Sequence, residues 1–268
     1  MDLVIIEQVF KKNYLQMKKI FAFYFLILLF FGCSPSIDTT NLGSQERLDY
    51  SIKLYNDEDY ELAITELQAI ILQFPGSAVV DDAQFYLAMT RFKRGEFILG
   101  AFEFSKLIKN IPASEFVPRA QFMLSESYYE LSPNFTLDQK YTKKAIEEYQ
   151  AFLDFFPADP NVPEAEKKIR ELNDKLAHKE YNNAIIYEKL EYYTAAITYY
   201  DRVVEVYHDT QYAPMALSNK INLLRSRDKT RDALDEIDKF LQRYPNDQRA
   251  KELESLKASL ESLLSASK

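Results

Sequence analysis

A small residue followed twelve positions later by proline recurs along this chain, and that spacing restricts it to a stack of helix pairs. Ala63 pairs in this way with Pro75, Gly100 with Pro112, Ala145 with Pro157 and Ala233 with Pro245. Ala196 points at the same spacing to His208, where proline is replaced. Four positions after each small residue stands a large apolar one: Leu67, Phe104, Tyr149, Tyr200 and Ile237. Seven positions after it stand Ile70, Leu107, Phe152, Val203 and Phe240. Offsets of four and seven fall on one face of a helix. Proline then stops that helix, because it lacks an N–H and its ring clashes with the preceding turn.

A second helix precedes each anchor. Ser51, Ala88 and Ala184 lie twelve residues before Ala63, Gly100 and Ala196. Small residues facing each other let two antiparallel helices approach closely. In the third unit the Ala-Gln-Phe of residues 83–85 recurs at 120–122, which aligns Ser125 with Ala88. Ser125 precedes Ala145 by twenty residues, so eight are inserted, and 131–140 (LSPNFTLDQK) is the place with turn chemistry. The fourth unit carries fourteen extra residues, about four helical turns. Residues 163–191 hold no interior glycine or proline and predict one helix roughly 40 Å long. Leucines at 253, 256, 260, 263 and 264 predict a last amphipathic helix over 247–264 that caps the array.

This pattern resembles the tetratricopeptide repeat over residues 45–245. The resemblance implies an all-α tetratricopeptide-repeat superhelix of about five helix pairs with a C-terminal capping helix. Single pairs cannot bury their apolar faces alone, so stacking supplies the core. In such repeats the first helix of each pair lines a concave groove. Alignment on the small residue puts Leu48, Ile52 and Tyr55 there, then Phe85, Met89 and Phe92, then Phe122, Glu126 and Tyr129. The fourth unit contributes Tyr181, Ile185 and Glu188. A groove this apolar suits an extended or helical peptide with aromatic side chains.

The N-terminus reads as an export signal. Residues 20–31 are a run of twelve apolar residues, too short for a membrane span and suited to a signal core. Lys18 and Lys19 flank it, and residues 17–36 form a complete signal by themselves, so Met17 is read as the true start. The single cysteine, Cys33, follows Gly32 where the apolar run ends. This resembles a bacterial lipobox, and the resemblance implies cleavage before Cys33 and its acylation. Ser34 rather than aspartate follows, which makes the outer membrane, on its periplasmic face, the expected destination. The expected organisation is a signal peptide over 1–32, a lipidated tether over 33–44, repeats 1–3 over 45–160, and repeats 4–5 with the cap over 161–268.

Charge and composition narrow the chemistry. The chain carries −8, and residues 1–32 carry four lysines against Asp2 and Glu7, which leaves the remainder at −10. An acidic body does not neutralise a phosphate backbone, so no nucleic-acid partner is expected. His178 and His208 are the only histidines and neither sits in a metal-ligand motif. No metal, catalytic residue or cofactor is expected beyond a covalent lipid on Cys33, and no enzymatic activity.

With lipobox and repeats together, the chain resembles the BamD family of outer-membrane β-barrel assembly lipoproteins. The order of parts matches: tether, five repeats, an insertion in the third and a long helix opening the fourth. Residues 169–217 carry the closest pattern, a leucine-rich helix, Lys-Glu-Tyr, a tyrosine-rich helix and Asp-Thr-Gln. The resemblance implies that repeats 4–5 bind the periplasmic domains of a central barrel subunit. It also implies that repeats 1–3 receive unfolded outer-membrane proteins. A periplasmic repeat adaptor of cell division or envelope maintenance is the alternative, although no heptad run precedes residue 45. A glycan-binding repeat lipoprotein would lean on tryptophan, and this chain has none.

Overall fold

A computed structural model describes residues 39–266. Cys33, the apolar run and Met17 lie outside the described residues. Among the described residues there are eleven α-helices and no strand. They pair as α1 (Ser44–Asn56) with α2 (Tyr60–Gln73), and α3 (Val80–Lys93) with α4 (Phe97–Asn110). The third pair is α5 (Val117–Glu130) with α6 (Lys140–Phe155), and the fourth α7 (Val162–Lys189) with α8 (Tyr193–Val206). The fifth is α9 (Tyr212–Ser226) with α10 (Thr230–Arg243), and α11 (Ala250–Ala266) follows. The array is an all-α tetratricopeptide-repeat fold, as the spacing predicted.

The small residues sit at the helix crossings. Ser51, Ala63, Ala88, Ala145, Ala184, Ala196 and Ala233 are completely buried. At Gly100 a Cβ would come within 3.3 Å of the Phe92 backbone nitrogen, so α3 and α4 approach closely there. In the fifth pair Ile221, also fully buried, takes the place of the small residue on the first helix. Tyr149, Tyr200, Phe104, Phe152, Phe240, Leu67 and Ile70, the residues at offsets four and seven, are all buried. Fully burying each such side chain contributes about 1.5–3 kcal/mol.

The turns repeat as faithfully as the crossings. Within pairs one, two, four and five, a residue with positive φ reverses the chain: Glu58 at 63°, Gly95 at 77°, Glu191 at 62° and Asp228 at 58°. Each second helix then ends on a residue whose N–H still bonds the carbonyl four back. Phe74, Ile111, Phe156 and Tyr244 do so ahead of proline, with φ between −126° and −132°. Tyr207 adopts nearly the same conformation, φ −119° and ψ 40°, although His208 follows it. The turn geometry is therefore imposed by packing of the array, and proline reinforces it.

The two irregular lengths in the sequence meet in space. The insertion expected at 131–140 is the connection 131–139 between α5 and α6, with Lys140 already helical, and α7 runs for 28 residues, about 42 Å. Ala165 and Leu172, in the first half of α7, pack with Ala145, Tyr149 and Phe152 of α6. Ala177 and Ala184, in its second half, pack with Ala196, Tyr200 and Leu217. One helix thus closes the third repeat and opens the fourth. Its lysines hold the insertion: Lys179 Nζ donates to the carbonyls of Phe135, Thr136 and Leu137 at 3.2, 3.4 and 2.9 Å. Lys175 Nζ donates to Ser132 Oγ at 2.8 Å, and burial pulls its pKa down. His178 lies between the rings of Phe135 and Tyr212, at 3.7 and 4.8 Å.

Candidate protein-binding surface

First helices of successive repeats touch one another, α1 with α3, α3 with α5, and α7 with α9. This row carries the eight apolar residues that the sequence assigned to a groove, and the structure divides them. Leu48, Phe85 and Met89 are buried and line no open surface. Each packs into a core shared with the next repeat, Leu48 with Val79 and Ala83, Phe85 and Met89 with Ala120 and Leu124, whereas Ile52 and Phe122 at the same offsets from the small residue stay half-buried. Phe85 stacks on Phe116, ahead of α5, with centroids 4.6 Å apart, and tilts against Phe104 at 6.1 Å.

Ile52, Tyr55, Phe92, Phe122 and Tyr129 are half-buried. Tyr55 meets the edge of Tyr86 at 5.5 Å, and Phe92 meets Phe97 at 5.2 Å. Phe122 packs edge-on to Tyr149 and Phe152. Tyr129 is occupied by α7. Its hydroxyl donates to Glu171 at 2.8 Å, and Lys168 Nζ lies 4.1 Å from its ring centroid. Burial first, and then the Glu171 carboxylate, push the Tyr129 hydroxyl up to about 12. The accessible part of the row is therefore Ile52, Tyr55 and Phe92, with one cation that sequence reasoning missed. Arg119 is exposed and holds its guanidinium 5.1 Å from the Phe85 ring centroid. The Ala-Gln-Phe alignment contained that signal, since it sets Arg119 opposite Asp82. Among Asp82's neighbours are Asp81 and Glu115; burial first, then these charges, raise its carboxyl.

The polar residues of the row are committed to the architecture. Glu126 accepts from the Tyr149 hydroxyl and from Lys168 Nζ at 2.7 Å. Burial, then this carboxylate, drive the Tyr149 pKa far up. Glu188 accepts from the Tyr200 hydroxyl at 2.6 Å, and Asn219 donates to Tyr181 at 2.9 Å. Ile185 is half-buried.

A second recurring device also escaped sequence reasoning. A glutamate stands three after the small residue in four repeats, and it clasps the partner helix. Arg47 Nε meets Glu66 at 2.6 Å. Gln84 Nε2 donates to Glu103 Oε2 at 2.8 Å and to its carbonyl at 3.1 Å. Gln121 does the same to Glu148 at 2.9 and 3.1 Å. Glu236 takes Lys220 at 3.0 Å and Lys239 at 2.8 Å. Burial opposes the charge on Glu236, but these two ammonium groups outweigh it and hold its pKa below the usual range. The fourth repeat has Tyr199 there instead, stacked on Tyr187 at 5.1 Å. Such buried polar groups need partners, and each finds one across the pair.

Among the described residues no cluster of His, Cys, Asp or Glu has the geometry of a metal site, and no helix is long and apolar enough to cross a membrane. What remains is a stack of tetratricopeptide pairs with a half-open aromatic row, the architecture of a repeat scaffold. Residues 49–230 match the model of the YfiO family, described as an outer membrane lipoprotein, and the chain belongs to that family. The outer membrane protein assembly factor BamD of Rickettsia prowazekii is 25% identical over 188 residues, covering 69% of this chain and 75% of that one. The factor of the same name from Vibrio cholerae is 22% identical over 228 residues, covering 81% and 94%. These relatives support the BamD resemblance drawn from the repeats. Among solved structures, the TPR2AB domain of yeast Sti1 aligns with a TM-score of 0.41 and 15% identity, covering 82% of this chain and 84% of that one.

Proposed function

We propose that this chain is a non-enzymatic lipoprotein of outer-membrane β-barrel assembly, anchored by acyl chains on Cys33 at the periplasmic face. In this reading repeats 4–5 scaffold a central barrel subunit through its periplasmic domains. Repeats 1–3 receive unfolded outer-membrane proteins, and the chain helps to fold and insert them. The observation that carries the reading is the family match across 49–230, joined to relatives that are all named outer membrane protein assembly factors. The half-open row of Ile52, Tyr55 and Phe92 beside Arg119 supports it, because an apolar segment with aromatic side chains finds both ring faces and a cation there. The side chains of the array are spent on packing and helix-to-helix bonds, which suits binding rather than catalysis.

The test is affinity purification of the chain from detergent-solubilised outer membranes, with mass spectrometry of the co-purifying chains and of the N-terminal peptide. A large barrel protein with periplasmic repeat domains, recovered in proportion, and a triacylated peptide beginning at Cys33 are expected. Recovery of cell-division or peptidoglycan proteins without any such barrel would reject the assembly role in favour of an envelope adaptor.

A further inference from the structure

The outward side of α4 and the start of α6 carry an apolar and basic patch, of which Ile98, Leu99 and Phe102 belong to no core while Tyr128 also packs against the cores of repeats 2 and 3. On α4, Ile98, Leu99 and Phe102 are 55%, 45% and 61% exposed. Residues four apart share a helix face, so Ile98 and Phe102 are followed on it by Lys106, with Lys109 one turn further. Beside Ile98 opens a cleft of about 500 Å³ that Lys140, Lys143 and Lys144 also line. Its walls include Tyr128 and Tyr141, stacked with centroids 6.2 Å apart and planes 16° apart. Lys144 is engaged by Glu147 and Glu148 at 3.2 and 2.9 Å. Among the described residues no carboxylate lies within ion-pair distance of Lys109, Lys140 or Lys143. Exposed lysines free of carboxylate partners, with Lys140 Nζ 6.0 Å from the Tyr141 ring centroid, stand next to exposed phenylalanine, isoleucine and leucine on a body that is acidic overall.

We propose that this patch rests on an anionic bilayer surface. Phe102, Ile98 and Leu99 reach the headgroup–acyl boundary, Tyr128 and Tyr141 lie at headgroup level, and Lys140 and Lys143 meet lipid phosphates. Three considerations favour lipid over a protein partner. Lysine is depleted at protein–protein interfaces, whereas lysines flanking apolar side chains are the make-up of interfacial helices, with their stems along the apolar region and their charges at the phosphates. Tyrosine rings prefer the same depth. Chain length also permits it. Ten residues lie between Cys33 and Ser44, a stretch that reaches at most about 40 Å, while α1 touches α3 and α3 packs on α4, so α4 lies about two interhelical spacings from α1, roughly 20 Å. A stretch of this length is no bar to an acylated Cys33 and this patch contacting the same membrane, and the proposal rests on the lipoprotein reading for which membrane that is.

The array beginning at Ser44 is a compact unit by itself, so the chain from residue 33 with Cys33→Ser serves as the unacylated probe. Its co-sedimentation is measured with vesicles of phosphatidylcholine and with vesicles of phosphatidylcholine mixed with phosphatidylglycerol. Binding to the mixed vesicles is expected, weakening with added salt. Each lysine near an anionic surface is worth about fivefold, so Lys140→Gln with Lys143→Gln lowers the partition roughly 25-fold. Phe102→Ser lowers it as well, and neither variant shifts the thermal midpoint. No binding to the mixed vesicles, or variants that bind as the parent does, overturns the proposal. The probe lacks the acylated cysteine, so a failed anchor and a failed patch are read separately.

Discussion

Repeats 1 and 2 and repeats 3 and 4 perform the same task with different materials. The first two cross at small residues, close with a left-handed turn residue, and add one glutamate clasp each. Their cores join through Tyr55 and Tyr86, which pack against both. Repeats 3 and 4 keep the crossings but lose this regular joint. The shared helix α7 and its lysines replace it, together with two tyrosines that donate to glutamates on the first helices. The regular joint is apolar and tolerant. The irregular one is charged, half-buried and long-range, so individual side chains matter more in it.

The largest expected effect probes how far each region yields. Ala196→Leu forces α8 away from α7, and α7 is held along its length by both neighbouring cores. We expect a loss of about 3 kcal/mol, the upper end for overpacking. Ala63→Leu pushes α2 against α1, the first helix of the array, which has neighbours on one side only and gives way for about 1 kcal/mol. Thermal midpoints test this, at about 2–4 °C per kcal/mol for a chain of this size. Equal losses for the two variants would show that α7 is no stiffer than a terminal helix.

A smaller effect separates the charged joint from surface ion pairs. Lys168 is 15% exposed and its partner Glu126 13%. Lys168→Met leaves the half-buried Glu126 carboxylate with only the Tyr149 hydroxyl, which costs about 2 kcal/mol. Lys106→Met removes an ion pair of 3.5 Å in which the lysine is 38% exposed, and costs under about 0.5 kcal/mol. Denaturant midpoints for the two variants give the comparison directly. Should Lys106→Met prove as costly as Lys168→Met, the charged joint counts for no more than a surface ion pair.

The same contrast governs what was legible in the sequence. Helix pairs, crossings, the insertion at 131–139 and the long helix all follow from spacing, because spacing is a property of one helix face. The burial of Leu48, Phe85 and Met89 does not, because it depends on how far the next repeat leans over the first helix. Nor does the glutamate clasp, because a glutamate's partner, Arg47, Gln84 or Gln121, lies on the other helix of the pair and not on its own face. Of the candidate groove, Ile52, Tyr55 and Phe92 keep accessible surface, while Tyr129 is taken by a lysine and a glutamate from 39 and 42 residues further along the chain.

The smallest expected effect concerns the one place where repeat 4 departs from its siblings in the anchor. Tyr207 bends as Phe74, Ile111, Phe156 and Tyr244 do, yet His208 follows where proline follows the others. Backbone hydrogen bonds in this turn run from Tyr207 to Val203 and from Thr210 to Tyr207, and His208 is bonded through its carbonyl, to the Tyr244 hydroxyl at 3.3 Å. His208→Pro would therefore remove no backbone bond and keep that acceptor. Its gain would come from the unfolded chain, which proline restricts, and we expect about 0.4–1 kcal/mol of added stability. The matching change in a regular repeat, Pro75→His, should lose a similar amount, and the pair of midpoints measures whether the two turns are equivalent. A destabilised His208→Pro variant would mean that the turn after α8 differs from its siblings in a way their shared dihedral angles conceal, and that histidine there answers to the fourth repeat's own packing.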